Sequence, residues 1–354
     1  MKTLLSLFCL VTYLTCALSA NSWPVSLDMA CNKALSAVAC SFEFTNNANQ
    51  DLYLLKRNTP LEGLNSQFVS VSLDGRPLEY EGIYAYRLPP TKDEFVLLKA
   101  GESISASVQI TDAFNIDTDG LYTVQYSRPL QYLSVNEMSA MSIGKLRESI
   151  VRKSVQLYLD GTRLLFKPPR PNKKLNSIKT QSCSTATFLN GDRKNKETLK
   201  VHQKLCAGTD TAKANVKYNE DYRTWFGQYT CYRANKVKYT YYLVKDLLQR
   251  NDIEYYNNGP KCEANMIAYA NVYWTTIYLC DKYYDLPADC ASTEATKEMT
   301  ILSFLGKITN HCSFLAASDN SPVTVEISKM IASLAPDMAI EACRNIGYFY
   351  CDSQ

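Results

Sequence analysis

The chain has very little histidine, with only two imidazoles in 354 residues, at positions 202 and 311. They do not form a His-x-x-x-His pair, so a zinc site built from two imidazoles on one helical face is excluded. The formal net charge is only +3, which gives no support for a nucleic-acid partner. No run beyond residue 20 is long and apolar enough to cross a bilayer, so no membrane span is expected. Internal repeats and Asn-x-Ser/Thr sequons are also absent beyond that point.

The first 20 residues have the pattern of a secretory signal peptide. Lys2 precedes an apolar run over residues 4–18, and two small residues, Ser19 and Ala20, follow it. This order of charged, apolar and small residues predicts cleavage after Ser19 or Ala20. The mature chain is therefore expected to be secreted and extracellular.

Cysteine, by contrast, is plentiful, with 13 residues. Cys9 and Cys16 would leave with the signal peptide, and the other 11 would enter an oxidising compartment, where disulfide pairing is the default. An odd number leaves at least one thiol free or bonded to another chain.

From about Cys31 to Tyr126, within a first domain placed at 21–166, the chain alternates apolar and polar side chains in short bursts. The bursts lie at residues 41–44, 68–71, 104–108 and 122–126, each beside Asn, Asp or Gly turn formers. Short strands at such spacing predict an antiparallel β-sandwich. A further pair, 155–158 and 163–166, flanks an Asp-Gly dipeptide and predicts a hairpin.

Residues 167–180 predict an exposed, basic, proline-rich linker. Three prolines and four cations fall within residues 167–174, which cannot build a core and offer a site for proteolytic cleavage. From residue 181 to 354 the apolar period becomes helical, as in Val237, Tyr241, Val244 and Leu248. Strands are expected at 268–272 and 275–279, and helices at 293–309, 323–334 and 337–345. We predict a mainly helical domain with a small β element.

Short motifs in both halves resemble one family, the deuterolysin and peptidyl-Lys metalloendopeptidases, or aspzincins. In the first half they are FEFTN at 42–46, TPLEGL at 59–64 and GES at 101–103. In the second half they are QSCS at 181–184, YRTWFGQY at 222–229, IYLC at 277–280, APDMA at 335–339 and YF at 348–349. The resemblance implies an Ig-like, propeptide-like domain over 21–166 and a zincin-like α+β protease domain over 181–354.

The resemblance also implies a zinc site that this chain lacks. In the family, a helix after the IYLC motif carries His-Glu-x-x-His, which supplies two zinc ligands and a general base. The matching positions here are Ser303, Phe304 and Lys307, on a helix with an apolar stripe over residues 301–308. Asp319 is the loose equivalent of the third ligand, an aspartate. No metal or other cofactor is therefore expected.

The lysine-recognition pocket is altered as well. Family members that cleave beside lysine carry an Asp and a Glu shortly before the final Tyr-Phe, and the equivalents here are Arg344 and Gly347. A cation in that pocket would repel a lysine side chain. The sequence thus predicts loss of both the chemistry and the substrate recognition of the family.

Some disulfides also follow from the resemblance or from local spacing. Cys262 with Cys280 matches a disulfide of the family, and Cys31 with Cys40 would close a local loop. Cys183 lacks its family partner and would pair with Cys206 or Cys231. Cys312 beside His311 suggests a thiol–base or metal pair, although a disulfide is the expected state of such a secreted cysteine.

Three functional hypotheses remain open from the sequence. The leading one is a secreted, catalytically inactive homologue that binds an extracellular protein or peptide. The alternative is a divergent zinc metalloendopeptidase, with ligands such as Asp319 and His311, activated by linker cleavage. The third is a structural component crosslinked through the odd cysteine.

Two further hypotheses concern Lys307. Ser303 and Lys307 lie one helical turn apart, which allows a nucleophile–base dyad, although drift of a lost site is the simpler explanation. Alternatively, the Lys307 ammonium would replace part of the missing metal charge beside Asp319.

Overall fold

The computed structural model describes residues 23–140, 146–165, 182–250, 252–271, 275–290, 295–313 and 325–354. The predicted signal peptide, the linker at 167–180 and Asp319 lie outside these ranges. The chain divides into two compact units. The first contains Met1–Tyr80 and Lys92–Phe166, and the second contains Glu81–Thr91 and Lys167–Gln354. An eleven-residue segment from the first half of the chain therefore belongs with the second unit.

The β-strands are numbered in chain order. They are β1 (Val25–Lys33), β2 (Val38–Asn46), β3 (Leu52–Leu55), β4 (Val69–Leu73), β5 (Arg76–Pro77), β6 (Ile83–Arg87), β7 (Phe95–Leu98), β8 (Ser103–Gln109), β9 (Gly120–Tyr126), β10 (Leu130–Ser134), β11 (Arg147–Ser149), β12 (Ser154–Leu159), β13 (Thr187–Phe188), β14 (Glu254–Asn257), β15 (Met266–Asn271) and β16 (Thr276–Leu279).

The α-helices are numbered in the same way. They are α1 (Val135–Ala140), α2 (Asn195–Asn215), α3 (Glu220–Phe226), α4 (Cys231–Gln249), α5 (Asp281–Tyr284), α6 (Lys297–Ile308), α7 (Val325–Leu334), α8 (Pro336–Ala339) and α9 (Cys343–Asp352). Short 3-10 turns lie at Pro60–Glu62, Lys92–Glu94, Ile110–Asp112 and Thr162–Leu164.

The first unit is β-rich, with antiparallel sheets in the orders β1-β2-β8, β11-β10-β3-β7 and β12-β9-β4-β5. The side chains of strand β9 alternate between buried and more exposed, as expected for a strand in a sheet that is covered on one face. Buried rings of Phe42, Phe68 and Tyr126 meet in the core with centroids 5.7–6.3 Å apart. The predicted strands at 41–44, 68–71, 104–108 and 122–126 all fall in strands of this unit.

The hairpin predicted at 155–166 is wrong. Strand β12 pairs with β9 instead, and a 3-10 turn at Thr162–Leu164 occupies the first two residues of the expected second strand. The Asp119 carboxylate accepts hydrogen bonds from the backbone amides of Gly161 and Thr162 and from the Thr162 hydroxyl. The backbone amides of Gly161 and Thr162 therefore bond to the Asp119 side chain instead of to a neighbouring strand.

The second unit contains a five-stranded sheet in the order β13-β14-β16-β15-β6. Strands β13, β14 and β16 run parallel, whereas β15 is antiparallel to both β16 and β6. The predicted strands at 268–272 and 275–279 correspond to β15 and β16. The sheet's last strand, β6, comes from residues far earlier in the chain, which the local sequence pattern does not reveal.

Helices pack against this sheet. On α4, Val237, Tyr241, Val244 and Leu248 are fully buried, as their spacing predicts. The last predicted helix was misplaced: instead of one helix at 337–345, the chain forms the short α8 and then α9. Across the described ranges, none of the helices combines the length and apolarity needed to span a bilayer.

Candidate active site

Helix α6 carries the positions that the resemblance assigns to the zinc motif. The Thr296 hydroxyl caps it by accepting a hydrogen bond from the Met299 amide at 3.2 Å. All ten residues from 297 to 306 are buried, so the helix is covered on every side rather than along one stripe. Phe304 is only 1% exposed, and it belongs to the main core of the unit.

These positions do not fit a zinc ion. Ser303, Phe304 and Lys307 offer no imidazole or carboxylate, the ligands that zinc takes from such a helix. In the parts of the chain that the structure describes, no three His, Cys, Asp or Glu side chains are grouped to hold a metal. Asp319 lies outside those parts.

A disulfide joins α6, which carries the zinc-motif positions, to α9, which carries the lysine-pocket positions. A disulfide links Cys312, just beyond α6, to Cys343, the first residue of α9. The amide of Ser313 donates to the carbonyl of Glu341, and the amide of Cys343 donates to the carbonyl of Ser313. Lys307 near the end of α6 and Arg344 near the start of α9 therefore both lie close in sequence to this disulfide.

The lysine-pocket equivalents lie on α9. Gly347 is buried against Met299, and Arg344 places its guanidinium over the ring of Tyr86, 4.7 Å from the centroid. Lys307 likewise places its ammonium 4.5 Å from the centroid of the Tyr84 ring. Two cations therefore face aromatic rings at positions where the resemblance implies a metal ligand and a carboxylate.

Neither histidine lies in a metal-binding arrangement with the other. His202 is buried on α2, with its Nδ1 atom 3.1 Å from the Tyr255 hydroxyl, and burial lowers its pKa to about 4. His311 follows α6 and meets the ring of Tyr239 edge to face. Burial, together with the charge of Lys236, lowers the pKa of His311.

The disulfides account for all but one of the described cysteines. Cys31 bonds to Cys40 and Cys262 to Cys280, as anticipated, and Cys183 takes Cys206 rather than Cys231. The remaining pairs are Cys290–Cys351 and Cys312–Cys343. Because Cys312 is bonded, it cannot act as a thiolate beside His311. Cys231 is a free, exposed thiol.

Comparison with known proteins bears on this region. Residues 211–351 match the family described as lysine-specific metallo-endopeptidase (Aspzincin_M35). An extracellular protease of Aeromonas hydrophila is 23% identical over 322 residues, covering 88% of this chain and 87% of that protein. A neutral protease 2 homologue of Uncinocarpus reesii is 31% identical over 104 residues, covering 28% of this chain and 27% of that protein.

The match to the aspzincin family is confined to residues 211–351, which are less than half of the chain. Among solved structures, a zinc peptidase from Grifola frondosa is 17% identical, and the match covers 46% of this chain and 97% of that one. Its TM-score of 0.39 is too low to assign the fold.

The region that matches the aspzincin family has neighbours that the sequence did not reveal. Tyr84 and Tyr86 lie on β6, more than 200 residues before Lys307 and Arg344, and the structure brings the two pairs together. The IYAYR segment of β6 contains isoleucine and two tyrosines, which favour strands, but strand propensity does not identify the sheet that a strand joins. Nothing in the local sequence links these tyrosines to α6 or α9.

Proposed function

We propose that this chain is a secreted, catalytically inactive homologue of the aspzincin metallo-endopeptidases that acts by binding an extracellular protein or peptide. The observation that carries the proposal is the burial of α6 with Ser303, Phe304 and Lys307 at its would-be catalytic positions. A helix of this kind packs through its apolar side chains, so it persists after the ligands and base have been replaced.

Electrostatics support the loss of lysine-specific cleavage. A lysine side chain entering beside α9 would meet the Arg344 guanidinium instead of carboxylates, and the Lys307 ammonium adds a second positive charge. The proposed binding partner is therefore one that does not present lysine at this place.

Secretion is supported by three observations. The first 20 residues have a signal-peptide pattern, the described residues form five disulfides, and the Aeromonas hydrophila relative is named as an extracellular protease. We further propose that the β-rich first unit is the Ig-like, propeptide-like domain, and that the helical second unit is zincin-like, with the linker at 167–180 between them. The first unit's antiparallel sheets support the former assignment.

Zinc content provides the direct test. The protein would be purified from a eukaryotic secretory host without chelator, and zinc per chain would be measured by elemental mass spectrometry alongside casein and lysyl-peptide hydrolysis. We expect background zinc and no hydrolysis, with and without cleavage of the linker.

A matched pair of variants separates the alternative. Near-stoichiometric zinc that is lost in both His311→Ala and Asp319→Ala would overturn the proposal and establish a metallopeptidase with a rearranged ligand set. His202→Ala controls for changes due only to loss of an imidazole, since His202 is buried against Tyr255 in the core.

A further inference from the structure

Strand β6 completes the sheet of the second unit. It runs antiparallel along β15, with Ile83 opposite Asn271 and Arg87 opposite Met266. The register shifts between Met266 and Ala268, where one residue of β15 bulges. The edge of β15 that an added peptide strand would use is thus already paired along its length by a segment of the same chain.

Both ends of the segment are held by side-chain amides, one from the last residue of β15 and one from the residue just before β15 begins. The Asn271 Nδ2 donates to the Glu81 carbonyl at 2.6 Å, and the Asn265 Nδ2 donates to the Thr91 hydroxyl at 2.6 Å. The Leu88 amide also donates to the Asn265 carbonyl at 2.9 Å. Polar contacts therefore extend beyond the paired strand to the full span of residues 81–91.

The two tyrosines of β6 face the helices. Tyr84 and Tyr86 are two residues apart, so they lie on one face of the strand, and both pack against the main core of the unit. Their cross-strand partners are Ala270 and Ala268, whose small side chains leave room for the rings. Lys307 then covers the ring of Tyr84, and Arg344 covers the ring of Tyr86.

We propose that residues 81–91 are an in-chain ligand of the second unit, held there by Lys307 and Arg344 through the rings of Tyr84 and Tyr86. Lys307 stands at a position that the resemblance assigns to metal binding, and Arg344 at one that it assigns to lysine recognition. Together they bind two aromatic rings that are two residues apart in the chain. This inference rests on the proposed inactive function, because a metal ligand or a carboxylate at these positions would not bind a ring face in this way.

A consequence concerns any external partner. An extended peptide could pair with β15 only after displacing β6, and it would have to present aromatic side chains at alternate positions to recover the same contacts. Binding of a partner without displacement would use a surface other than this edge.

Hydrogen exchange of the full-length protein, followed by mass spectrometry, tests the inference. We expect residues 81–91 and 266–271 to be protected together. Lys307→Met, Tyr84→Leu, Arg344→Met and Tyr86→Leu should each raise exchange in both segments roughly threefold to fivefold, the range of a cation–π contact of moderate exposure. Lys213→Met is the matched control, because Lys213 on α2 covers the ring of Tyr242 on α4, which stacks on Tyr239, and it should leave both segments unchanged.

Double variants identify the contact itself. If Lys307 acts through Tyr84, then Lys307→Met in the Tyr84→Leu background should add little further exchange. The inference would be overturned by rapid exchange of residues 266–271 in the wild-type protein, or by additive effects in both double variants. Hydrogen exchange is measured separately from zinc content and hydrolysis. An exchange result that contradicts the inference therefore leaves the proposed function standing, and zinc binding or hydrolysis would overturn the proposed function whatever the exchange result.

Discussion

At the scale of single residues, His202 is a buried neutral base. Its side chain is fully buried, its Nδ1 atom is 3.1 Å from the Tyr255 hydroxyl, and burial lowers its pKa to about 4. An unfolded chain would titrate the same imidazole near its ordinary value, about 6.5. Between these two values the unfolded state binds the proton and the folded state does not, so acid destabilises the fold through this residue.

The expected result is a pH-dependent loss of stability that one substitution removes. As pH falls from 7 to 4, His202 should cost the wild-type protein about 3 kcal/mol of unfolding free energy, whereas His202→Gln should lack that part of the decline. Urea unfolding at pH 7, 5.5 and 4.5, followed by tryptophan fluorescence, measures it. The comparison variant is His311→Gln, whose half-exposed imidazole should have a smaller effect. Parallel pH curves for wild type and His202→Gln would contradict the assignment.

At the scale of helices, α6 and α9 approach closely at two glycines with different surroundings. A Cβ on Gly306 would lie 2.4 Å from the Cys312 sulfur, which is fixed by its bond to Cys343. A Cβ on Gly347 would meet Met299 at 3.4 Å, an ordinary contact with a flexible side chain. Both glycines are within helices, so alanine brings the same gain in helix propensity at each position.

The two alanine substitutions should therefore have opposite effects. Gly306→Ala should lower the unfolding free energy by about 1–3 kcal/mol through overpacking against the disulfide. Gly347→Ala should be neutral or stabilising by up to about 1 kcal/mol. Thermal unfolding of both variants and the wild type gives the answer. Equal shifts of Tm would mean that the junction between α6 and α9 can relax around an added methyl group.

Helices also show how far sequence reasoning could reach. Helix α4 was predictable because one face is apolar and the other polar. The predicted position of helix α9 was wrong. Seven of its ten residues are buried, and its aromatic residues are mixed with Asn345 and Gly347, so the sequence shows no clear apolar face. On α6, the stripe predicted a helix, but not that polar residues such as Glu298 and Thr300 would be buried too.

At the scale of the whole molecule, the long-range partners could not be read from the sequence. Strand β6 and its contacts with Lys307 and Arg344 join residues more than 200 positions apart, and only the folded sheet reveals them. Disulfides posed a similar problem, because spacing suggested Cys31 with Cys40 but gave no indication of Cys290 with Cys351. A composition that predicts pairing does not determine connectivity.

The covalent map of the chain after the proposed signal peptide gives the final prediction. Eleven cysteines remain after residue 20, ten are bonded in five pairs, and Cys231 is free and exposed at the start of α4. Thiol titration of the native, monomeric protein should thus find one reactive thiol per chain, and Cys231→Ser should find none. On a non-reducing gel, any disulfide-linked dimer of the wild type should disappear in Cys231→Ser, since the other cysteines are already bonded. A dimer that persists in this variant would show that one of the five pairs exchanges between chains.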